Sequence, residues 1–514
     1  MTQQHNPEYD FLKTAVSKVL ILLNAALALV YFFVLVFYFP ESNPYLFWTL
    51  VISEIFHVWL ALTFLYTIWE TDPVPPIFDE MHAPSVDVFI TVAGEPVEVV
   101  EQTVVAAQNM DYPNFKVIIL NDGFVANKEN WKEIIDLAIR LGAGCITRKV
   151  PGGAKAGNIN NGLRHTGSDL VAIFDADHIP KPEFLKKTVG YFVDQKMGFV
   201  QSPQYYRNQK ESYVAQAAWD QQALFFGPIC KGKNRLNSVT MCGTNMVISR
   251  KALSEVGGIH EDNIAEDFLT GLFLHEKGWK SVYVPEVLAE GLAPEDLLSY
   301  TKQQFRWARG SLEVIFKYNP LFSRTLTWAQ RIQYLSSASF FLSGVVVLMN
   351  IMLPLIFFYF GLVPLEISTM ALAIVFLPHI FLTVYLLRTS SSNSFTFRAL
   401  AFCMSSFMIH IKALFANLFN VKSGFSITPK QKITGQFYSL VIPHSAYFVL
   451  LLGGLVVAVL REGLTVSLIT NLSWAIFNAA VFVPFINAAT PLNKQHNPEV
   501  KLIKNRIYAD ELRN

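Results

Sequence analysis

Two aspartates close an apolar run in "VAIFDADH", at Asp175 and Asp177. Residues two apart, where a strand bends into a loop, can aim both carboxylates at one point. Hard oxygen ligands of this kind suit Mg2+ or Mn2+, cations that also take oxygens from a diphosphate. "VIILNDG" repeats the design, with Asp122 ending a second apolar run before Gly123. As plain turn chemistry, Asn-Asp-Gly would serve equally. A further acidic pair, Glu266 and Asp267 in "NIAEDFLTG", leads into an apolar helical pattern. Taken alone it reads as a helix N-cap, a position Asp fills well. Lys155 stands in the glycine-rich "GGAKAGNINNG". The GxxxxGK[ST] spacing of a P-loop is absent there, but a lysine can still reach a phosphate. Finally, "QQFRWARGS" places an amide, a guanidinium and an indole together at Gln303, Arg306 and Trp307, just before a long apolar region.

These residues need a frame that brings them to one edge. Residues 80–325 alternate strand-like and helix-like runs: "VDVFITV", an amphipathic 96–109, "FKVIIL", a helix near 129–141, "GCITRK" and "DLVAIFD". Such alternation predicts a mostly parallel sheet covered by helices. Ligands of such sheets bind beyond the carboxyl ends of the strands, where these carboxylates fall.

The flanks are different. Runs at 16–39 and 45–69 are each long enough to cross a hydrocarbon core, which needs about 20 helical residues. Further spans are expected at 335–360, 366–387, 437–460 and 466–488. The segment 396–420 is apolar but interrupted by Arg398, His410 and Lys412, which suits a helix lying in the membrane interface. Glu54 and His57 fall inside the second run, as a helix-packing pair or a functional one. The connections at 40–44 and 361–366 hold no Lys or Arg, whereas 388–398, 421–436 and 489–514 hold many. By the positive-inside rule both termini and the middle domain are cytosolic.

Composition agrees. The 514 residues are 52% hydrophobic and only 16% charged, against about 25% charged in soluble domains. A net charge of +1 argues against a nucleic-acid binder. Cys145, Cys230, Cys242 and Cys403 are scattered, without the spacing of a disulfide framework or zinc site.

In order along the chain, Asp122, "DADH" at 175–178, "AED" at 265–267 and "QQFRW" at 303–307 precede membrane spans. This set resembles the processive family-2 glycosyltransferases, and within them the cellulose synthase superfamily, whose QxxRW signature is matched by Gln303, Arg306 and Trp307. "FDADHIPKPEF" and "AKAGNINNGL" look like the bacterial cellulose synthase catalytic subunit, and "FSITPK" (425–430) is similar to its FxVTxK gating loop, with Ile for Val. The resemblance, over roughly 85–490, implies a cytosolic α/β domain of GT-A type, a mostly parallel sheet with helices on both faces. That domain would be inserted in an α-helical transmembrane domain of about six spans with interfacial helices. The implied limits are 1–79 for the first membrane region, 80–325 for the glycosyltransferase domain, 326–490 for the second membrane region and 491–514 for a tail.

The resemblance also implies roles. Asp122 and Asp175 would hold the nucleotide, with Thr91, Glu95 and Lys155 lining its pocket. Asp177, with Asp175, would hold Mg2+ or Mn2+, and Asp267 would be the catalytic base. Gln303 and Arg306 would face the diphosphate. Trp307 and the "CGTN" residues Cys242, Gly243 and Thr244 would face the acceptor. Phe425, Thr428 and Lys430 would close a gate. The implied activity is polymerisation of glucose from UDP-glucose into a β-glucan, exported through the chain's own channel in a bacterial inner membrane. Periplasmic or extracellular export partners are further candidates.

The match departs from the bacterial subunit in places. "NDG" replaces a more usual double Asp, two spans rather than more precede the catalytic block, and the tail at 491–514 carries no RxxxR. Control through a cyclic-di-GMP domain of this chain is therefore not expected. Curdlan and mixed-linkage synthases share the same motifs, so linkage stays open. Chitin or mannan synthesis is the nearest alternative, and a catalytically silent partner subunit the alternative from another class.

Overall fold

A computed structural model describes residues 11–12, 16–75, 83–366, 369–421 and 435–490. The gating-loop residues Phe425, Thr428 and Lys430 lie outside these, as does the tail.

Four parallel strands form the heart of the α/β domain: β1 (Val86–Val92), β2 (Phe115–Asn121), β3 (Gly144–Thr147) and β4 (Leu170–Asp175). β1 is buried along its whole length, the pattern of a strand covered on both faces. Alternate residues feed opposite cores. Val88, Ile90, Ala172 and Phe174 enter one apolar cluster, and Phe89, Val171 and Ile173 enter the other. Helices therefore lie on both sides, as expected.

The sheet continues past β4 with strands the sequence reading had not located. Met246–Ser249 runs antiparallel to β4, Met197–Gln201 antiparallel to that, and Lys280–Tyr283 parallel to Met197–Gln201. The result is a seven-stranded, mostly parallel sheet with one reversed strand. That reversal matters for the site. An antiparallel strand begins at the edge where its parallel neighbours end, so residues 242–245 arrive beside Asp175. Register places Thr91 opposite Asp175 and Val92 opposite Asn121, which aligns the strand ends.

The described residues hold seven helices long and apolar enough to cross a membrane, one more than the six expected. The additional segment is Phe397–Leu418, which the sequence suggested as interfacial. It is broken at Ser406 into Phe397–Ser405 and Phe407–Leu418. It is 61% buried within the protein, against 11–33% for the others, and packs on the α/β domain's helices Tyr213–Leu224 and Leu297–Glu313. Arg398 donates to Asp220 at 2.8 Å across that junction.

Three connections meet at the opposite end of the helical block. Ser42 and Asn43 amides donate to the carbonyls of Pro364 and Val363, each at 3.2 Å. Arg461 donates to the carbonyls of Phe357 and Phe358 that end Ser343–Phe360.

Candidate active site

Asp175 ends β4, and its surroundings fix its carboxylate. The Thr91 hydroxyl donates to its Oδ1 at 3.3 Å, and the Lys155 ammonium forms an ion pair with the same oxygen. Its backbone amide donates to the Thr244 hydroxyl at 2.9 Å. Lys155 is the second residue of Ala154–His165. Gly157 in the next turn comes so close to the Gly152 carbonyl that a Cβ would stand 2.2 Å from it. The glycine-rich spacing thus lets the helix fold back and aim Lys155 inward. Lys155 also donates to the Gly243 carbonyl at 2.8 Å. Burial works against its charge, but Asp175, Glu266 and Asp267 outweigh it and hold the ammonium's pKa above its usual value.

Asp177 is fully buried. Its Oδ2 accepts from the Leu292 amide at 3.0 Å, and its carbonyl accepts from Arg207 at 3.1 Å. His178 follows, with Nδ1 3.5 Å from Asp177 Oδ1. Among the described residues neither ring nitrogen finds a hydrogen-bond partner, although the side chain is buried. One ligand atom from each of Asp175, Asp177 and His178 lies within 4.8 Å of the others. A buried imidazole without a hydrogen-bond partner beside two carboxylates is a donor set that fits a divalent cation. The motif string contained His178, but the reading stopped at the two aspartates.

Asp267 comes from the other side of the same corner. It is the second residue of Glu266–Glu276. Ala265 occupies the N-cap, with no side-chain cap bond. Among the described residues the Asp267 carboxylate accepts only from its neighbour's amide, Phe268, at 2.7 Å. Capping is therefore not what this side chain does here. Gly243, in the left-handed region at φ 78°, lies against it: a Cβ there would sit 2.8 Å from Asp267 Oδ2 and 3.5 Å from Lys155 Nζ. Gly243 therefore leaves the space between the acid and the lysine open.

The QxxRW helix is Leu297–Glu313. Gly310 lets it cross the start of the Asp267 helix, because a Cβ at 310 would meet Ala265 Cβ at 2.4 Å. One turn earlier, Arg306 faces both acids, and its charge pulls the pKa of Glu266 and of Asp267 down against burial. Burial wins: Glu266 is pushed up to about 7, with the Asp267 charge adding to the effect, and Asp267 is likewise raised. Tyr206, which the sequence did not suggest, joins the two halves of the site. Its pKa is raised by burial first and then by Asp177, and Gln303 and Arg306 lower it in part.

The other expected residues make contacts of their own. Asp122 lies at the same edge but is held by Arg148, with contacts of 2.5 and 2.7 Å from Nε and Nη2 to its two oxygens. Arg148, at the end of "GCITR", was missed. The Glu95 carboxylate accepts from the Ala93 amide at 2.6 Å, within its own loop. The Cys242 thiol donates to the Thr240 carbonyl at 3.3 Å. Trp307 is half-buried, one residue beyond Arg306.

The raised acids give a pH dependence. A base works ionised, so with Asp267 in that role activity should fall as pH drops through its pKa. Removing the adjacent charge with Glu266→Gln eases ionisation of Asp267, so the acid limb of kcat/KM should move to lower pH. An unchanged limb would mean that the two acids do not interact.

Comparison with known proteins fits this geometry. The family model described as glycosyltransferase-like family 2 matches residues 83–310, and the one described as cellulose synthase matches residues 251–478. Cellulose synthase 2 of Novacetimonas hansenii is 32% identical over 72% of this chain and 24% of its own length. The UDP-forming cellulose synthase catalytic subunit of Xanthomonas axonopodis pv. citri is 37% identical over 56% of this chain and 40% of its own. The chain spans about a fifth to a half of the length of the curated relatives it matches. Among solved structures, a Pyrobaculum calidifontis mannosyltransferase in complex with GDP-mannose and Mn2+ aligns at TM-score 0.48 and 16% identity, over 78% of this chain and 100% of its own. The chain belongs to the cellulose synthase superfamily of family-2 glycosyltransferases, and its apolar helices make it a multi-pass membrane protein.

Proposed function

We propose that the protein is a processive, inverting glycosyltransferase that polymerises glucose from UDP-glucose into a β-glucan and passes the polymer through its own membrane helices. The observation that carries this reading is the corner where Asp267 meets Asp175, Lys155, Gly243 and Arg306. A base, a cation pair and an open space stand together there at the strand ends.

The chemistry follows from those groups. Asp267 takes the proton of an acceptor hydroxyl. That oxygen attacks the anomeric carbon from the face opposite UDP, the bond from C1 to the diphosphate breaks, and an α-linked donor yields a β-linked product. Lys155, Arg306 and Gln303 meet the negative charge that grows on the leaving diphosphate. Mg2+ or Mn2+, held by Asp177 with Asp175 and His178, would supply further positive charge there when bound. Thr91 and Thr244 fix Asp175, while Asp122, Arg148 and Glu95 shape the neighbouring nucleotide side. The Trp307 indole offers a sugar ring a broad apolar face that does not lock it, which suits a sliding chain. Cys242 and Gly243 border the acceptor, and Phe425, Thr428 and Lys430 would form the gate. A glucan's many hydroxyls are costly to move through hydrocarbon unpaired, which gives the membrane helices their purpose beyond anchoring.

Supplied with radiolabelled UDP-glucose and Mg2+ or Mn2+, purified protein should form a polymer that a linkage-specific β-glucanase degrades. Incorporation only from another UDP-sugar would overturn the glucose assignment.

We place the α/β domain and both termini in the cytosol of a bacterial inner membrane, with the connections at 40–44, 361–366 and 461–465 outside. Cysteines introduced at Val363 and at Leu464, which is 84% exposed, should react with an impermeant thiol reagent in intact cells. One at exposed Glu133 should not. The opposite pattern would reverse the orientation and remove access to cytosolic donor.

A further inference from the structure

The QxxRW helix Leu297–Glu313 has two working faces. One carries Gln303 and Arg306 to the site described above. The other lines a cavity of about 160 Å³ where the α/β domain meets the ends of the apolar helices. Thr301, Lys302 and Phe305 form one wall, Met408, Ile409 and Lys412 of Phe407–Leu418 the facing wall, and His444 and Phe485 part of the floor. His444 stands in the first turn of Ile442–Glu462, so the cavity lies at membrane-surface depth on the side of the α/β domain.

Three features distinguish it from a packing gap. Lys302 and Lys412 both line it, and neither pairs with a carboxylate among the described residues. The Thr301 hydroxyl is buried without a hydrogen-bond partner among the described residues, an arrangement proteins seldom leave unmatched. The remaining surface is apolar, and the volume exceeds what a single water needs. The stretch 422–434, which links the two helical elements flanking the cavity, contains three lysines and no carboxylate, so its sequence offers no counter-ion.

We propose that this cavity binds the phosphate of a membrane amphiphile, a phospholipid headgroup whose glycerol and first methylenes occupy the apolar part. The two ammonium groups and the Thr301 hydroxyl meet the phosphate oxygens, while Phe305, Ile409 and Phe485 cover the carbon chain. Juxtamembrane lysines attract such headgroups. Occupancy braces the back of the helix that presents Arg306 to the site. This goes beyond the sugar chemistry and does not depend on it.

The test is binding to the purified full chain in neutral detergent, followed by native mass spectrometry. The probes are dioleoyl phosphatidylglycerol and, as a soluble phosphate, glycerol 3-phosphate. Phosphatidylglycerol should bind one site, and Lys302→Gln with Lys412→Gln should weaken it about 30-fold, roughly fivefold per lysine. Lys302→Arg with Lys412→Arg should restore it. Equal binding of glycerol 3-phosphate with the same lysine dependence would keep the phosphate site but make a free phosphate its source. Phosphatidylglycerol binding that ignores both lysines, with no binding of glycerol 3-phosphate, would overturn the proposal. Both side chains reach the surface, and an unchanged melting temperature verifies that the variants fold.

Discussion

Asp267→Asn should leave donor binding intact and lower polymer formation by about a thousandfold. A positioned base contributes about 10² to 10⁴ in rate. Asn keeps the side chain's volume and its acceptor for the Phe268 amide, so the helix start survives, but it cannot take a proton. A capping role makes a different forecast: a loss of about 1 kcal/mol in stability with turnover retained. In the structure Ala265 holds the N-cap position and Asp267 lies against Gly243. Measuring UDP binding by calorimetry and synthesis by label incorporation distinguishes them in solution. Near-parent synthesis in the variant would remove Asp267 from the chemistry.

Asp177→Asn should have the second-largest effect. Its Oδ2 accepts from the Leu292 amide, and an asparagine oxygen can do the same, so the loop from 175 to 178 keeps its shape. The lost charge is then the dominant change. Losing an outer-shell partner of a metal costs about 10- to 100-fold in affinity, and loss of a ligand should exceed that. The free-Mn2+ signal in electron paramagnetic resonance should show binding weakened more than about 100-fold, with synthesis falling in parallel and melting unchanged. Retained Mn2+ affinity would move the metal to other groups. His178→Ala, in the same assay, tests the imidazole's share.

The strands that carry the carboxylates were legible because they are central. A parallel strand buried on both faces is a near-continuous apolar run, so β1, β2 and β4 were located within a residue or two and Asp122 and Asp175 fell at their ends. Met197–Gln201, Met246–Ser249 and Lys280–Tyr283 are only four or five residues long and left no comparable signal. Without the reversed strand, nothing in the sequence set Gly243 beside Asp267. Arg148 and Tyr206 were invisible for a related reason. Their roles come from tertiary neighbours, Asp122 for the first and Gln303 with Arg306 for the second. Gly310 carried a readable clue, since a glycine inside a helical pattern often marks close packing. In the segment 396–420 the charged residues Arg398, His410 and Lys412 drew the reading, whereas the helix breaks at Ser406, a residue with no comparable signal.

A processive, inverting enzyme adds many sugars to one acceptor and inverts the anomeric carbon at each step. Purified protein given UDP-[13C]glucose should, at low donor conversion, already contain long chains, and the anomeric carbon signals of the product should be β throughout. Short products that lengthen in step with conversion, or α signals, would contradict it.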